Sequence, residues 1–378
     1  MEANPTPVVT EAAQSKTVSN RFERMDVARG LGMLLVVLGH NEACKWGSAG
    51  FPVIFSFHVP LFFFLSGFFH KRHGSLSNDA LTRVRKLLAP YFLTGLLLVL
   101  YYAMANPPFA KMLLIGVIWG AGGSGTPVSF LYWPPVWFLT SLFLTQVTFS
   151  ILQPALAKIS PPVRILGFSI LLVLGVWYLN TLGRIYFPNT RILPNQSGLP
   201  WNLDLLPITL FYYWAGWECK KWNALERGLT HNNGITAQVL LLPLFAGYCI
   251  LHASIADLGW LMDLNQRDYG HALMTTLGAF LGIMLVLTVS DRIANQARPE
   301  VRKLLAYIGM HSLVILIFHD FFQQRMAQAM DRLSTPTWLN HAGAWVAGCA
   351  APLLLNHVLL RRIPWLSSVY GNRHPAKQ

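Results

Sequence analysis

Apolar runs long enough for a helix to cross a hydrocarbon core, about 20 residues, alternate along this chain with short polar stretches rich in Pro, Gly, Lys and Arg. The runs fall at 27–44, 51–69, 87–104, 134–152 and 163–182, and again at 202–217, 235–252, 270–289, 304–322 and 338–360. The pattern predicts an all-α polytopic membrane bundle of about ten transmembrane helices. Between the third and fourth runs, KMLLIGVIW (111–119) is too short to span and reads as re-entrant or interfacial, so eleven spans is the alternative. We find no internal repeat, and no segment between runs is long enough to fold as a separate soluble domain. Residues 1–23 are predicted to be a disordered cytoplasmic tail, because Pro5, Pro7, Ser15 and Ser19 punctuate a polar stretch without the basic-then-apolar order of a cleavable signal. Residues 24–362 form the expected transmembrane domain, and 363–378 a second cytoplasmic tail.

Composition agrees with a membrane protein. Of 378 residues, 53% are hydrophobic and 12% charged, and the mean hydropathy is +0.42, too apolar for a soluble enzyme of this size. If the N-terminus is cytoplasmic, the expected cytoplasmic segments hold all Lys and Arg except Lys45, Lys111, Arg184, Arg191, Arg267, Arg325 and Arg332. Lys and Arg set topology, so both termini are expected inside. The net charge of +13 then needs anionic lipid headgroups at a cytoplasmic rim and no nucleic acid. Cys44, Cys219, Cys249 and Cys349 lie far apart without CxxC spacing, so neither a disulfide framework nor a structural metal is expected.

One run carries charge where lipid should exclude it. RMDVARGLGMLLVVLGHNE (24–42) places Asp26, Arg29 and His40 in the first span. At about 100° per residue, Arg29 and His40 return to within about 20° on one helix face, with Asp26 about 40° away, and about 16 Å separates the two levels. Intramembrane ionisable groups face a bundle interior or a water-filled cavity. The alternative is that Arg29 snorkels and His40 bonds a neighbouring helix. SFHVPLFFFLSGFF (56–69) adds His58 and Ser66, and LTRVRKLLAPYF (81–92) sets Arg83, Arg85 and Lys86 just before the third span.

These stretches, with WFLTSLF (137–143), WNLDLL (201–206) and LAYIGMHSLVILIFHDF (305–321), resemble the acyltransferase 3 family of integral membrane O-acyltransferases. The resemblance runs from about Arg24 to Arg362 and is closest to the branch of fucose 4-O-acetylase-like and exopolysaccharide acetyltransferases, the xanthan O-acetyltransferases among them. It implies transfer of an acetyl group from acetyl-CoA to a hydroxyl of a lipid-linked oligosaccharide or polysaccharide at a bacterial inner membrane; no metal cofactor is expected. It also implies functional roles for Arg29 and His40, which keep the family's eleven-residue offset, and gives weight to His58. The family's RxxR element is matched only as RxxK, Arg83 to Lys86, and lysine cannot make a bidentate phosphate contact.

Acyl transfer to a hydroxyl needs a base and donors for the developing oxyanion. His40 is the natural base. Glu42, about 200° around from it, can orient His40 only if the helix ends there. Asp204 and His319 are further polar groups in apolar runs, with structural and substrate-orienting roles both open. Ser66 reads as packing, since it lacks a strand-to-helix GxSxG context. The phosphates of CoA suit Arg83, Arg85 and Lys86, with Arg29 deeper in the entrance, although topology alone also explains that cluster. The glycine-rich stretch Gly120–Pro127 is expected outside, as a flexible loop near the acceptor rather than a phosphate cradle, and His70 and His73 are expected at the solvated surface. A transporter or exporter is the competing class, and paired halves with interrupted helices, its usual signature, are not found.

Overall fold

A computed structural model describes residues 11–45, 47–121, 134–183, 198–221, 233–254 and 262–371. The described chain is almost wholly helical. The first half comprises α1 (Glu11–Gly39), α2 (Gly50–Phe55), α3 (His58–Phe68), α4 (Leu76–Arg83), α5 (Ala89–Ala105), α6 (Pro107–Trp119), α7 (Trp137–Leu156) and α8 (Pro161–Tyr178). The second comprises α9 (Leu206–Lys221), α10 (Asn233–Ser254), α11 (Ala272–Gln296), α12 (Pro299–Met310), α13 (Ser312–Arg332), α14 (Thr337–Leu355) and α15 (Pro364–Val369). Among the described residues the sheet is one antiparallel hairpin, β1 (Met262–Asp263) with β2 (Asp268–Tyr269), joining α10 to α11.

Six helical stretches of the described chain are long and apolar enough to cross a membrane: Gly50–Phe68, Leu76–Ala105, Trp137–Leu156, Pro161–Thr181, Ala272–Gln296 and Thr337–Leu360. Each coincides with a predicted run. Leu96, Leu97, Leu100, Val173, Leu174, Trp177, Val346 and Leu354 stand roughly half exposed on their outer faces, as lipid-facing side chains do. α6 is a helix of 13 residues, short of a crossing, as KMLLIGVIW suggested.

Elsewhere the boundaries differ. The run at 304–322 is not one rod: α12 and α13 meet at an 84° bend, where His311 leaves helical geometry at φ −102° and ψ 17°. Counting that pair, seven stretches qualify. The run at 202–217 begins late, because Trp201 and Asn202 take left-handed φ of 57° and 60° and the regular helix starts at Leu206. The first helix stops at Gly39, where Asn41 caps the following turn by accepting from the Ala43 amide at 3.0 Å. Apolar periodicity runs through all three breaks, so it cannot reveal them.

Two glycine crossings set how closely the central helices approach. α1 crosses α12 at Gly30 and Gly309, and α3 crosses α9 at Gly67 and Gly216. A Cβ on Gly309 would lie 1.9 Å from the Asp26 carbonyl oxygen, and one on Gly67 would lie 1.8 Å from that of Tyr213. These obstacles are backbone, so only separation of the helices relieves them. Gly309→Ala is therefore expected to destabilise the protein by about 1–3 kcal/mol, read as a lower melting temperature in detergent. Gly167→Ala, where a Cβ meets nothing within 4 Å, should be neutral or slightly stabilising, and equal melting of the two variants would contradict the crossing.

Candidate active site

A cavity of about 380 Å³ lies between α1, α3, α7, α13 and the β1–β2 hairpin. Arg29 and His40 come from α1, His58 and Ser66 from α3, Trp137 and Phe138 from α7, Asp263 and Asn265 from the hairpin, and Ser312 from the start of α13. The face inferred from the 24–42 stretch thus opens on a cavity, with Met33 and Val36 lining it between the two ionisable levels.

The histidines share one local device. The Nδ1 atoms of His40, His58 and His319 each lie 2.9 Å from the carbonyl four residues earlier, on Val36, Ile54 and Ile315. A carbonyl only accepts, so each Nδ1 carries a proton, and in the neutral ring the lone pair is on Nε2. His319 Nε2 is buried without a partner, and its ring lies edge-on to His40 at 5.1 Å. Phe55 bridges the other two, edge-on to His58 at 4.6 Å and tilted to His40 at 6.5 Å. His319 does not line the cavity but stands directly behind His40.

The end of α1 is fixed from α13. Asn41 Nδ2 donates to Gln323 Oε1 at 3.0 Å, and Gln323 Nε2 donates to the Val37 carbonyl at 2.9 Å. At the other level, Arg29 donates to Asp26 at 3.1 Å and lies 4.3 Å over the Phe69 ring. About 16 Å of helix rise keeps it away from the imidazole.

Several expectations change. Glu42 does not orient His40: the helix ends early enough, but the carboxylate points outward and meets Lys45 at 3.4 Å, both about 70% exposed. Asp204 is outside the cavity and acts on its wall. Its carboxylate accepts from Arg267 Nε at 2.9 Å and from the Leu199 amide at 3.2 Å, while Arg267 Nη2 donates to Asn202 Oδ1 at 2.9 Å. Asn202 Nδ2 in turn reaches the Trp137 carbonyl at 3.1 Å and Thr140 Oγ1 at 3.0 Å. The WNLD segment is thus a clamp joining the hairpin to the start of α7.

The basic cluster divides. A π-turn at Val84–Leu88 shifts the helix phase, so Arg83 turns inward while Arg85 and Lys86 are exposed. Arg83 donates to both Asp79 oxygens at 2.9 and 3.1 Å, to Gln146 Oε1 at 2.6 Å and to Ser150 Oγ at 3.0 Å. Those bonds occupy the guanidinium, whereas Arg85 and Lys86, just before the cavity-lining Leu87, are exposed. His70 is not at the surface: it is buried, with Nδ1 2.9 Å from the Tyr213 hydroxyl, and burial pushes its imidazole down to about 4. The close α3–α9 approach pulls it under α9. His73 is half-buried.

Ser66 lines the cavity, and of the glycine-rich stretch residues 122–127 lie outside the described residues. The four cysteines are unbridged, and no three His, Cys, Asp or Glu among the described residues are grouped to hold a metal ion.

The sequence reading missed Asp263 and Asn265, and placed Arg267 only as a basic residue outside. The available signal was MDLNQRDY (262–269), which crowds five polar side chains between two apolar runs.

No curated protein matches the chain. Residues 22–360 match the acyltransferase domain family Acyl_transf_3, an interval that holds the whole cavity. With its membrane-length helices and that match over most of its length, the chain belongs to the Acyl_transf_3 family and is a multi-pass membrane acyltransferase.

Proposed function

We propose that this acyltransferase is an O-acetyltransferase of a bacterial inner membrane. It moves an acetyl group from acetyl-CoA to a sugar hydroxyl of an exopolysaccharide or lipid-linked glycan, as enzymes of the fucose 4-O-acetylase-like and exopolysaccharide branch do. In this reading about ten segments cross the membrane, both termini are cytoplasmic, and donor and acceptor enter from opposite ends. The observation that carries it is one cavity with a guanidinium at one level and, about 16 Å away, an imidazole whose Nε2 lone pair is fixed by the Nδ1–Val36 bond.

His40 Nε2 takes the proton from the acceptor hydroxyl as its oxygen attacks the thioester carbonyl carbon. The tetrahedral intermediate collapses, the C–S bond breaks, and the thiolate leaves and takes the proton back from His40. The products are the acetyl ester and free CoA. Exposed Arg85 and Lys86 suit the nucleotide phosphates outside the entrance. Arg29 stands at the throat, and the apolar stretch from Met33 to Val36 suits the acyl-bearing arm.

The test is CoA release from acetyl-CoA by detergent-purified protein given bacterial lipid-linked oligosaccharides. Arg29→Ala should raise KM for acetyl-CoA on the order of tenfold, the loss of about one charge-assisted contact, and leave KM for the acceptor unchanged. Folded wild-type protein that cleaves no thioester across a broad acceptor panel would put a carrier function ahead of this one.

A further inference from the structure

The hairpin that closes the His40 end of the cavity is built in a way its packing alone does not require. Asp263 and Asp268 are direct cross-strand partners, and like charges placed opposite destabilise a ladder. Arg267 adopts a left-handed φ of 61°, a conformation other residues than glycine hold only when their surroundings over-determine it. The surroundings do so here: the guanidinium is tied to Asp204 and Asn202. It lies so close to Gly198, at φ 114°, that a Cβ there would fall 2.1 Å from Nη2. The clamp thus holds a costly turn in one position.

What it holds at the cavity wall are two polar residues, Asp263 and Asn265. Asp263 is 9% exposed, and one of its oxygens accepts from the Gln266 amide at 3.2 Å. Asn265 Oδ1 is buried and has no donor at all. Burial, with Asp268 adding to it, pushes the Asp263 carboxyl up to about 6 against its backbone hydrogen bonds from Gln266 and Asn265, so it is ionised at neutral pH and acts only as an acceptor. A buried carbonyl oxygen without a donor is costly unless a ligand supplies one. The ligand therefore brings hydrogen-bond donors, and it is not an anion. A thioester and its acyl group carry no such donors, and CoA phosphates are repelled.

We propose that Asp263 and Asn265 form the acceptor subsite, accepting hydrogen bonds from hydroxyls of a sugar ring next to the one that His40 deprotonates. This rests on the O-acetyltransferase reading above. The two residues set which alcohols are used, and they contribute nothing to donor binding.

The experiment follows CoA release at saturating acetyl-CoA with methyl glucoside, methyl mannoside and methyl galactoside, and with cyclohexanol, which offers one hydroxyl on a ring of the same size. Wild-type protein should use its best glycoside at least about tenfold better in kcat/KM than cyclohexanol, as one hydrogen bond to a charged group allows. In Asp263→Ala and Asn265→Ala that preference should collapse to within about twofold, with KM for acetyl-CoA unchanged. Asp263→Asn keeps the shape and an oxygen for the Gln266 amide, so it preserves the turn and should give an intermediate preference. A uniform loss on all alcohols, or a change confined to acetyl-CoA, overturns the subsite and leaves the acetyltransferase standing. Equal wild-type use of cyclohexanol and glycosides does the same. Absence of thioester cleavage with every acceptor, lipid-linked oligosaccharides included, overturns both.

Discussion

The His40→Ala protein is expected to release CoA in an acceptor-dependent manner about 10²- to 10⁴-fold more slowly than wild type, the range by which a positioned general base accelerates such a step. His40 lines the cavity together with His58 and Asp263, and its ring backs onto His319. Its Nδ1–H is committed to the Val36 carbonyl, which leaves Nε2 to take the proton. The substitution removes that base at small structural cost, since the lost bond closes within the last turn of α1 and is worth about 0.5–1.5 kcal/mol. Asn41 and Gln323 still hold the helix end. His40→Gln, polar but without a base, should be equally slow, and added imidazole should restore part of the rate in His40→Ala by entering the vacated space. A thiol-reactive dye reading CoA release, alongside melting curves for fold, measures both. Near-wild-type turnover in either variant would falsify the assignment.

Arg267→Ala is expected to lose about 3–5 kcal/mol of stability, the cost of stranding a buried partner charge. The Arg267 and Asp204 side chains are only 8% and 3% exposed, so solvent cannot take over the neutralisation. The loss should appear as a large drop in melting temperature in detergent. Activity should fall even where the protein stays folded, because the hairpin that carries Asp263 then loses its tie to α7. Asp204→Leu combined with Arg267→Met, which replaces the pair by apolar side chains of similar volume, should recover much of the melting temperature but not the activity, since Asn202 then has no guanidinium to locate the hairpin. Unchanged melting of Arg267→Ala would show that the clamp does not bear the load given to it.

These two residues illustrate what could be read in advance. His40 was legible because a helix has one period: eleven residues return to nearly the same face, and a charged face in an apolar run must look into a cavity. Arg267 was not, because its meaning lies in partners 63 and 65 positions away, and no local pattern encodes such a pairing. Asp204 reads in the sequence as polar in an apolar run, which is correct about its burial and silent about its partner. Glu42 had the right spacing only on the condition that the helix stop, and it did stop, but the chain then turned the carboxylate toward Lys45.

By itself the sequence determined the medium and the frame. Runs of apolar residues, each near the length of a bilayer crossing, require helices that satisfy their own backbone. The spacing of Arg29 and His40 places both on one face of the first helix, and residues 22–360 carry the family. Tertiary structure alone decided where apolar continuity breaks, as at His311 and Asn202, and which charges are spent in pairs, as Arg83 is on Asp79. It also decided which polar side chains of a short connecting hairpin reach the cavity. The physical reason is that hydrophobicity and helical period are local and repeat along the chain, whereas hydrogen bonds and ion pairs are satisfied wherever the packed helices bring a partner within 3 Å or so.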